Sequence, residues 1–116
     1  MDTPYFKDTN MKILVIDEDE FLAENLCQFL KFNNNIQARY VSSNKEAIQL
    51  ISQNQFDLIL TDIQITNSIH DNWLLQIGDI NPGQKMIIIS SYPIPKEIEL
   101  CEKLNIIGYF EKPFDN

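Results

Sequence analysis

The sequence is poor in the residues that build metal knots and disulfide frames. It has two cysteines, Cys27 and Cys101, and one histidine, His70. No Cys-x-x-Cys pair exists, so the ligands of a structural zinc site are lacking. Both cysteines sit among apolar helical residues and read as reduced, buried small hydrophobes. No apolar run approaches the ~20 residues that span a membrane. The first ten residues, MDTPYFKDTN, are polar and carry acids, unlike a secretory signal. The expected location is therefore the cytoplasm. Basic residues are also scarce, 9 against 17 acidic, for a net charge of -8. Without a basic surface to displace counterions, neither nucleic-acid binding nor docking on anionic membrane is expected. What remains is a single domain, since 116 residues can bury a core without disulfides or metals.

Apolar runs of two kinds alternate along the chain. Residues 1–10 lack periodicity and read as a tail; the domain runs over 11–116. Lys12 to Ile16 is a short β-branched run ending at Asp17, the pattern of a strand buried on both faces. Leu22, Leu26, Phe29 and Leu30 fall on one helical stripe, predicting a helix over about Glu20–Phe32. The cluster Asn33-Asn34-Asn35 stops it. Ile36 to Val41 reads as a second strand. Ser43 to Glu46 has the form of a capping box, and Ala47, Ile48 and Ile51 continue as a helix face. Phe56 to Asp62 reads as a third strand. Trp73, Leu74, Ile77 and Ile80 suggest a third helix, broken by Asn81-Pro82-Gly83. Lys85 to Ile89 is a fourth strand ending on Ser90. Pro95 suits the first turn of a fourth helix, with Ile98, Cys101 and Leu104 on one face. Ile106 to Phe110 is a fifth strand, followed by Lys112-Pro113. Strands alternating with helices imply an α/β fold with a doubly wound parallel sheet.

The polar residues fall where the strands stop. Asp17 and Glu18 follow the first, Asp62 ends the third, Ser90 the fourth, and Lys112 follows the fifth. In an open α/β sheet, ligands bind outside the carboxyl ends of the strands. Crowded carboxylates disfavour ionisation unless a cation compensates. Mg2+ suits such a rim, because it binds through few carboxylates, keeps waters and recruits phosphate oxygens. A carboxylate can itself attack phosphorus. The transferring phosphoryl group spreads charge over three oxygens, which Mg2+, Lys112 and the Ser90 hydroxyl could each take.

Four segments in order, KILVIDEDE, FDLILTD, MIIISS and GYFEKPF, resemble the response-regulator receiver family of two-component signalling, over residues 11–114. The resemblance implies a five-stranded parallel sheet in order 2-1-3-4-5, the flavodoxin-like receiver fold. It implies Asp62 as phosphoacceptor and Mg2+ ligand, Asp17 and Glu18 as the acidic pair for Mg2+, and the backbone carbonyl of Gln64 as a further ligand. Ser90 matches the hydroxyl residue that moves to the phosphate, Lys112 the site lysine, and Tyr109 the aromatic that swings inward. The Lys112-Pro113 bond is typically cis in that family. The partners implied are a sensor histidine kinase or phosphotransfer protein, an output domain or effector, and a homodimer. The chain would be a signalling switch, not an enzyme in the usual sense.

Departures from the pattern set further expectations. After Asp62 the family usually has a proline four residues on and an Asp-Gly soon after; here stand Thr66 and Asn67 to Asn72. Asn105 replaces a helix-ending glycine and is expected in the left-handed conformation. The fifth helix is missing from the sequence, so an apolar strip beside the first helix should be exposed. Truncation of a longer protein is the expected reason; otherwise another chain covers the strip. Two alternatives stand beside the phospho-switch. One is a degenerate receiver signalling through contacts alone. The other is a haloacid-dehalogenase-type phosphatase with Asp17 as nucleophile, which ILVIDEDEF approaches but for Phe21 in place of Thr or Val.

Overall fold

The computed structural model describes residues 10–62, 74–91 and 104–112. In chain order the elements are β1 (Met11–Ile16), α1 (Glu20–Leu30), β2 (Ile36–Val41), α2 (Asn44–Gln53), β3 (Leu58–Asp62), α3 (Leu74–Ile80), β4 (Lys85–Ser90) and β5 (Asn105–Glu111). Every strand pairing is parallel, and the sheet order is β2-β1-β3-β4-β5. The expected doubly wound sheet in order 2-1-3-4-5 is therefore what the chain forms. The expected fourth helix, with Pro95, Ile98 and Cys101, lies outside the described residues, as do the N-terminal tail, Trp73 and the Lys112-Pro113 bond.

Burial on both faces accounts for the unbroken apolar strands. Leu14 and Ile16 of β1 join Ile59, Met86 and Ile88 beneath Ala47 and Ile51 of α2 and Leu74 and Ile77 of α3. Ile13 and Val15 point the other way and join Leu60 beneath Ala23 of α1. Each such aliphatic side chain contributes roughly 1.5–3 kcal/mol on burial, so the central strands carry most of the core. On the α1 side, Ile87 and Ile89 are half-buried and Phe110 is 60% exposed. That is an apolar strip on the face where one was expected.

Local chemistry sets the element ends. Asp19 caps α1 by accepting from the Leu22 N–H at 3.1 Å. The helix stops at Leu30, two residues before the predicted Phe32, and the Asn33 side chain accepts from the Asn35 N–H at 2.8 Å in the turn that follows. Ser43 caps α2 as predicted: its hydroxyl accepts from the Glu46 N–H at 3.2 Å and donates to the Glu46 carboxylate at 3.3 Å. Strand β3 begins at Leu58, not Phe56, because Asp57 is tied sideways to β1. Its carboxylate accepts from the Lys12 N–H, and its own N–H donates to the Lys12 carbonyl, both at 2.8 Å. Gly83 takes a φ of +85° in the turn after α3, a conformation that favours glycine.

Asn105 corrects one expectation. It is not left-handed but is the extended first residue of β5. Its side-chain amide donates to the Gly83 carbonyl at 3.2 Å, so it fastens the strand to the neighbouring turn. Strand β5 also has an irregularity. Met86 pairs with Ile106 but Ile87 pairs with Gly108, which leaves Ile107 as one extra residue.

Candidate functional site

Parallel strands bring their carboxyl ends to one rim, and side-chain alternation decides which residues meet there. Asp17 lies two residues after Val15, and Asp62 two after Leu60; both carboxylates follow the α1 side of the sheet. Lys112 lies two residues after Phe110, which pairs with Ile89 on that same side. Ser90 follows Ile88 onto the opposite side, toward α2 and α3. Tyr109 pairs with Ile88 and so shares the Ser90 side, 38% exposed.

The Lys112 ammonium sits between the two acids. Its Nζ is 3.0 Å from Asp17 Oδ2 and 3.4 Å from Asp62 Oδ2. The Lys112 backbone N–H donates to the Ser90 carbonyl at 2.8 Å, which fixes where the side chain starts. Asp17 is held on three sides. Its N–H donates to the Val41 carbonyl at 3.2 Å, its Oδ1 accepts from the Asp19 N–H at 2.9 Å, and its Oδ2 meets Lys112. Ser90 is fully buried.

Burial pushes the Asp62 carboxyl above the usual carboxylate range, and the neighbouring Asp17 charge adds to the push. Contact with Lys112 pulls it back, but not enough to reverse the direction; Glu18 pushes it further up. For Lys112, burial alone would lower the pKa. The hydrogen bond to Asp17 and the charges of Asp17 and Asp62 outweigh burial, so the ammonium is held charged above its ordinary value. Among the described residues a single ammonium meets both acids, and Asp62 stays raised despite it, so the acidic rim is under-compensated.

The predicted residues do not all converge. Asp17, Asp62 and Lys112 are in contact, with the Ser90 carbonyl anchoring the lysine. Glu18 is exposed at the mouth and reaches Asp62 only through its charge. Among the described residues, no three histidine, cysteine, aspartate or glutamate side chains gather closely enough to hold a metal ion. Gln64 and the Thr66–Asn72 stretch lie outside the described residues. Asp19 was missed as a structural part of the site, although an aspartate just before a helical stripe is a cap signal. It links the Asp17 carboxylate to the first turn of α1.

This arrangement can be set against known proteins. The sequence model of the family described as the response regulator receiver domain matches residues 13–116. A response regulator receiver protein of Anaeromyxobacter sp. (strain Fw109-5) is 22% identical over 102 residues; the match covers 88% of this chain but 42% of that protein. The receiver domain of Francisella response regulator 1452 superposes with a TM-score of 0.72 at 27% identity, covering 91% of this chain and 87% of that one. A response regulator of Burkholderia pseudomallei, solved with a phosphorylated aspartic acid, a calcium ion and citrate, gives 0.71 at 22% identity, covering 90% and 61%. With sheet order, rim and family match in agreement, the chain belongs to the response regulator receiver domain family of two-component systems.

Proposed function

We propose that the domain is a phospho-accepting switch in which Asp62 takes a phosphoryl group in a Mg2+-dependent reaction. The observation that carries this reading is the contact of one lysine with two carboxylates at the strand rim, Asp17 buried and Asp62 half-buried. Of the two acids, Asp62 is the better nucleophile. Asp17 has both carboxylate oxygens engaged, by the Asp19 N–H and by Lys112, whereas Asp62 is partly open. That difference also counts against a phosphatase attacking through Asp17. In the step, a carboxylate oxygen of Asp62 forms a bond to phosphorus as the donor's bond to phosphorus breaks and the donor leaves.

Asp17 and Asp62 would hold Mg2+, with Glu18 adding negative charge from the mouth and the Gln64 carbonyl as a further ligand. The fit rests on the under-compensated charge at the rim. Bound there, the ion would neutralise charge developing on the phosphoryl oxygens. The phosphorylated aspartate and calcium ion of the Burkholderia protein support the same chemistry here. Lys112 would take a second phosphoryl oxygen and the Ser90 hydroxyl a third. Ser90 lies on the side shared with Tyr109, so its movement to the phosphate would open space that Tyr109 fills. The partners would be a sensor histidine kinase or phosphotransfer protein and an output domain or effector, in the cytoplasm. Ser90→Ala should leave phosphorylation intact and weaken the response of the partner-binding face.

The test is intact mass after incubation with Mg2+ and acetyl phosphate. A phosphoryl adduct in the wild type that is absent in Asp62→Asn supports the reading. No adduct from acetyl phosphate or from a phosphorylated histidine donor leaves a receiver that signals through contacts alone. An adduct that survives Asp62→Asn but disappears in Asp17→Asn overturns the assignment of the nucleophile.

A further inference from the structure

Helix α1 is apolar on two sides. Its inner side is Ala23 and Cys27, with Leu26 and Leu30 packed against the core beneath. Its outer side, with the turn that ends it, carries Phe21, Phe29 and Phe32, which are 74%, 69% and 86% exposed. At 100° per residue Phe21 and Phe29 fall within about a quarter-turn of each other on the solvent side of the helix, and Phe32 follows in the turn beyond it; Phe29, expected on the stripe with Leu22, Leu26 and Leu30, borders that stripe and is exposed instead. An ordinary surface helix shows charged and polar residues there. With roughly 200 Å2 per aromatic side chain, the row presents on the order of 450 Å2 of apolar surface. A patch of about that size is the largest a typical monomer exposes, and such patches are often functional.

We propose that this row is a self-association surface, on which α1 packs antiparallel against α1 of a second copy of the chain. The charges flanking the row single out the occupant. Asp19, Glu20 and Glu24 lie at its beginning and Lys31 at its end. In an antiparallel pair each acidic first turn meets the Lys31 of the other copy, and the two helix dipoles oppose. A parallel pair would stack acid on acid. Self-complementarity of this kind is what a twofold interface requires, because the same patch serves both copies. Paired phenylalanines would bury about 900 Å2, and flanking side chains bring the total near the ~1,200 Å2 at the lower end of specific interfaces. The association is therefore weak and concentration-dependent. Each copy carries a net charge of -8, so long-range repulsion opposes pairing and added salt strengthens it. The surface does not depend on phosphorylation of Asp62.

Sedimentation equilibrium of the full chain over a wide concentration range tests this. The mass should rise from the 13.5 kDa monomer toward twice that value, more steeply at higher salt. Phe29→Asp and Phe21→Asp, both at exposed positions, should each weaken association at least about tenfold. Phe110→Asp, on the exposed β5 strip, should leave it unchanged. Lys31→Glu should weaken pairing, and Lys31→Glu combined with Glu24→Lys should restore it. A monomer at every concentration overturns the proposal. So does a dimer that survives both α1 aspartates or is lost in Phe110→Asp. A double charge swap that fails to restore pairing overturns the antiparallel arrangement.

Discussion

Two carboxylates withdrawn from water resist ionising together unless a cation answers them, and Asp62 is where that resistance collects. Its folded pKa lies above the ordinary value of 3.8, so the folded state holds the proton more tightly than the unfolded one. The stability this gives is complete below 3.8 and is lost as pH rises through the folded value. Asp62→Asn should therefore raise the melting temperature at pH 7, and the gain should vanish in acid below 3.8, as thermal denaturation followed by circular dichroism would record. Mg2+ should raise the melting temperature of the wild type and have less effect on Asp62→Asn. Lys112→Met removes the one cation that, among the described residues, contacts both acids, and should cost on the order of 2–4 kcal/mol in urea denaturation. Burial raises the Cys27 thiol, Lys31 pulls it down and Glu24 pushes it up, with a net rise. In a Cys101→Ser background, a thiol reagent at pH 8 should leave native Cys27 unmodified and label it fully in denaturant. At this scale Asp17, Asp62, Ser90 and Lys112 were legible, because each is a polar residue that ends or follows an apolar strand. The exposure of Glu18 was not legible, since adjacency to Asp17 says nothing of which side the chain turns to.

Elements were legible wherever periodicity and punctuation agreed. Ser43 to Glu46 announced the start of α2, and Ser43→Ala should cost about 1 kcal/mol in urea denaturation, with Ser43→Asp close to neutral. The ends misread were those set by side chains that reach across the fold. Asp57 reads as part of an apolar strand, yet its bonds to Lys12 hold it outside β3. Asn105 reads as a helix stop, yet its contact with Gly83 draws it into β5. Gln84 gives no periodic signal at all. Buried after α3, it donates to the Phe56 and Lys85 carbonyls and accepts from the Asn81 amide, closing the turn from within. Contacts of 28 residues' separation, such as Gln84 with Phe56, leave no mark on a local pattern.

For the molecule as a whole, a charge of -8 is spread over a domain that must still bring Asp17 and Asp62 together. Repulsion among surface acids is screened by salt, whereas the largely buried contacts of Lys112 are screened far less. The melting temperature should therefore climb as sodium chloride is raised from about 0.01 M to about 0.5 M, measured by calorimetry. The parallel sheet was legible from the alternation of strands and helices and its order from the family resemblance, but the extra residue in β5 was not legible, and it decides more than a local kink. Strand residues obey a parity: even steps keep a side chain on one face, odd steps send it to the other. From Ile106, on the α2 and α3 face, six residues lead to Lys112, and strict alternation would return the lysine to that same face. Ile107 inserts one count and reverses the sign, so the ammonium emerges among the acids instead. A β5 that kept Ile107 but ran without this irregularity would hold every residue of its site and have its cation on the wrong side of the sheet, whereas deleting Ile107 would leave five regular steps from Ile106 and the lysine still among the acids.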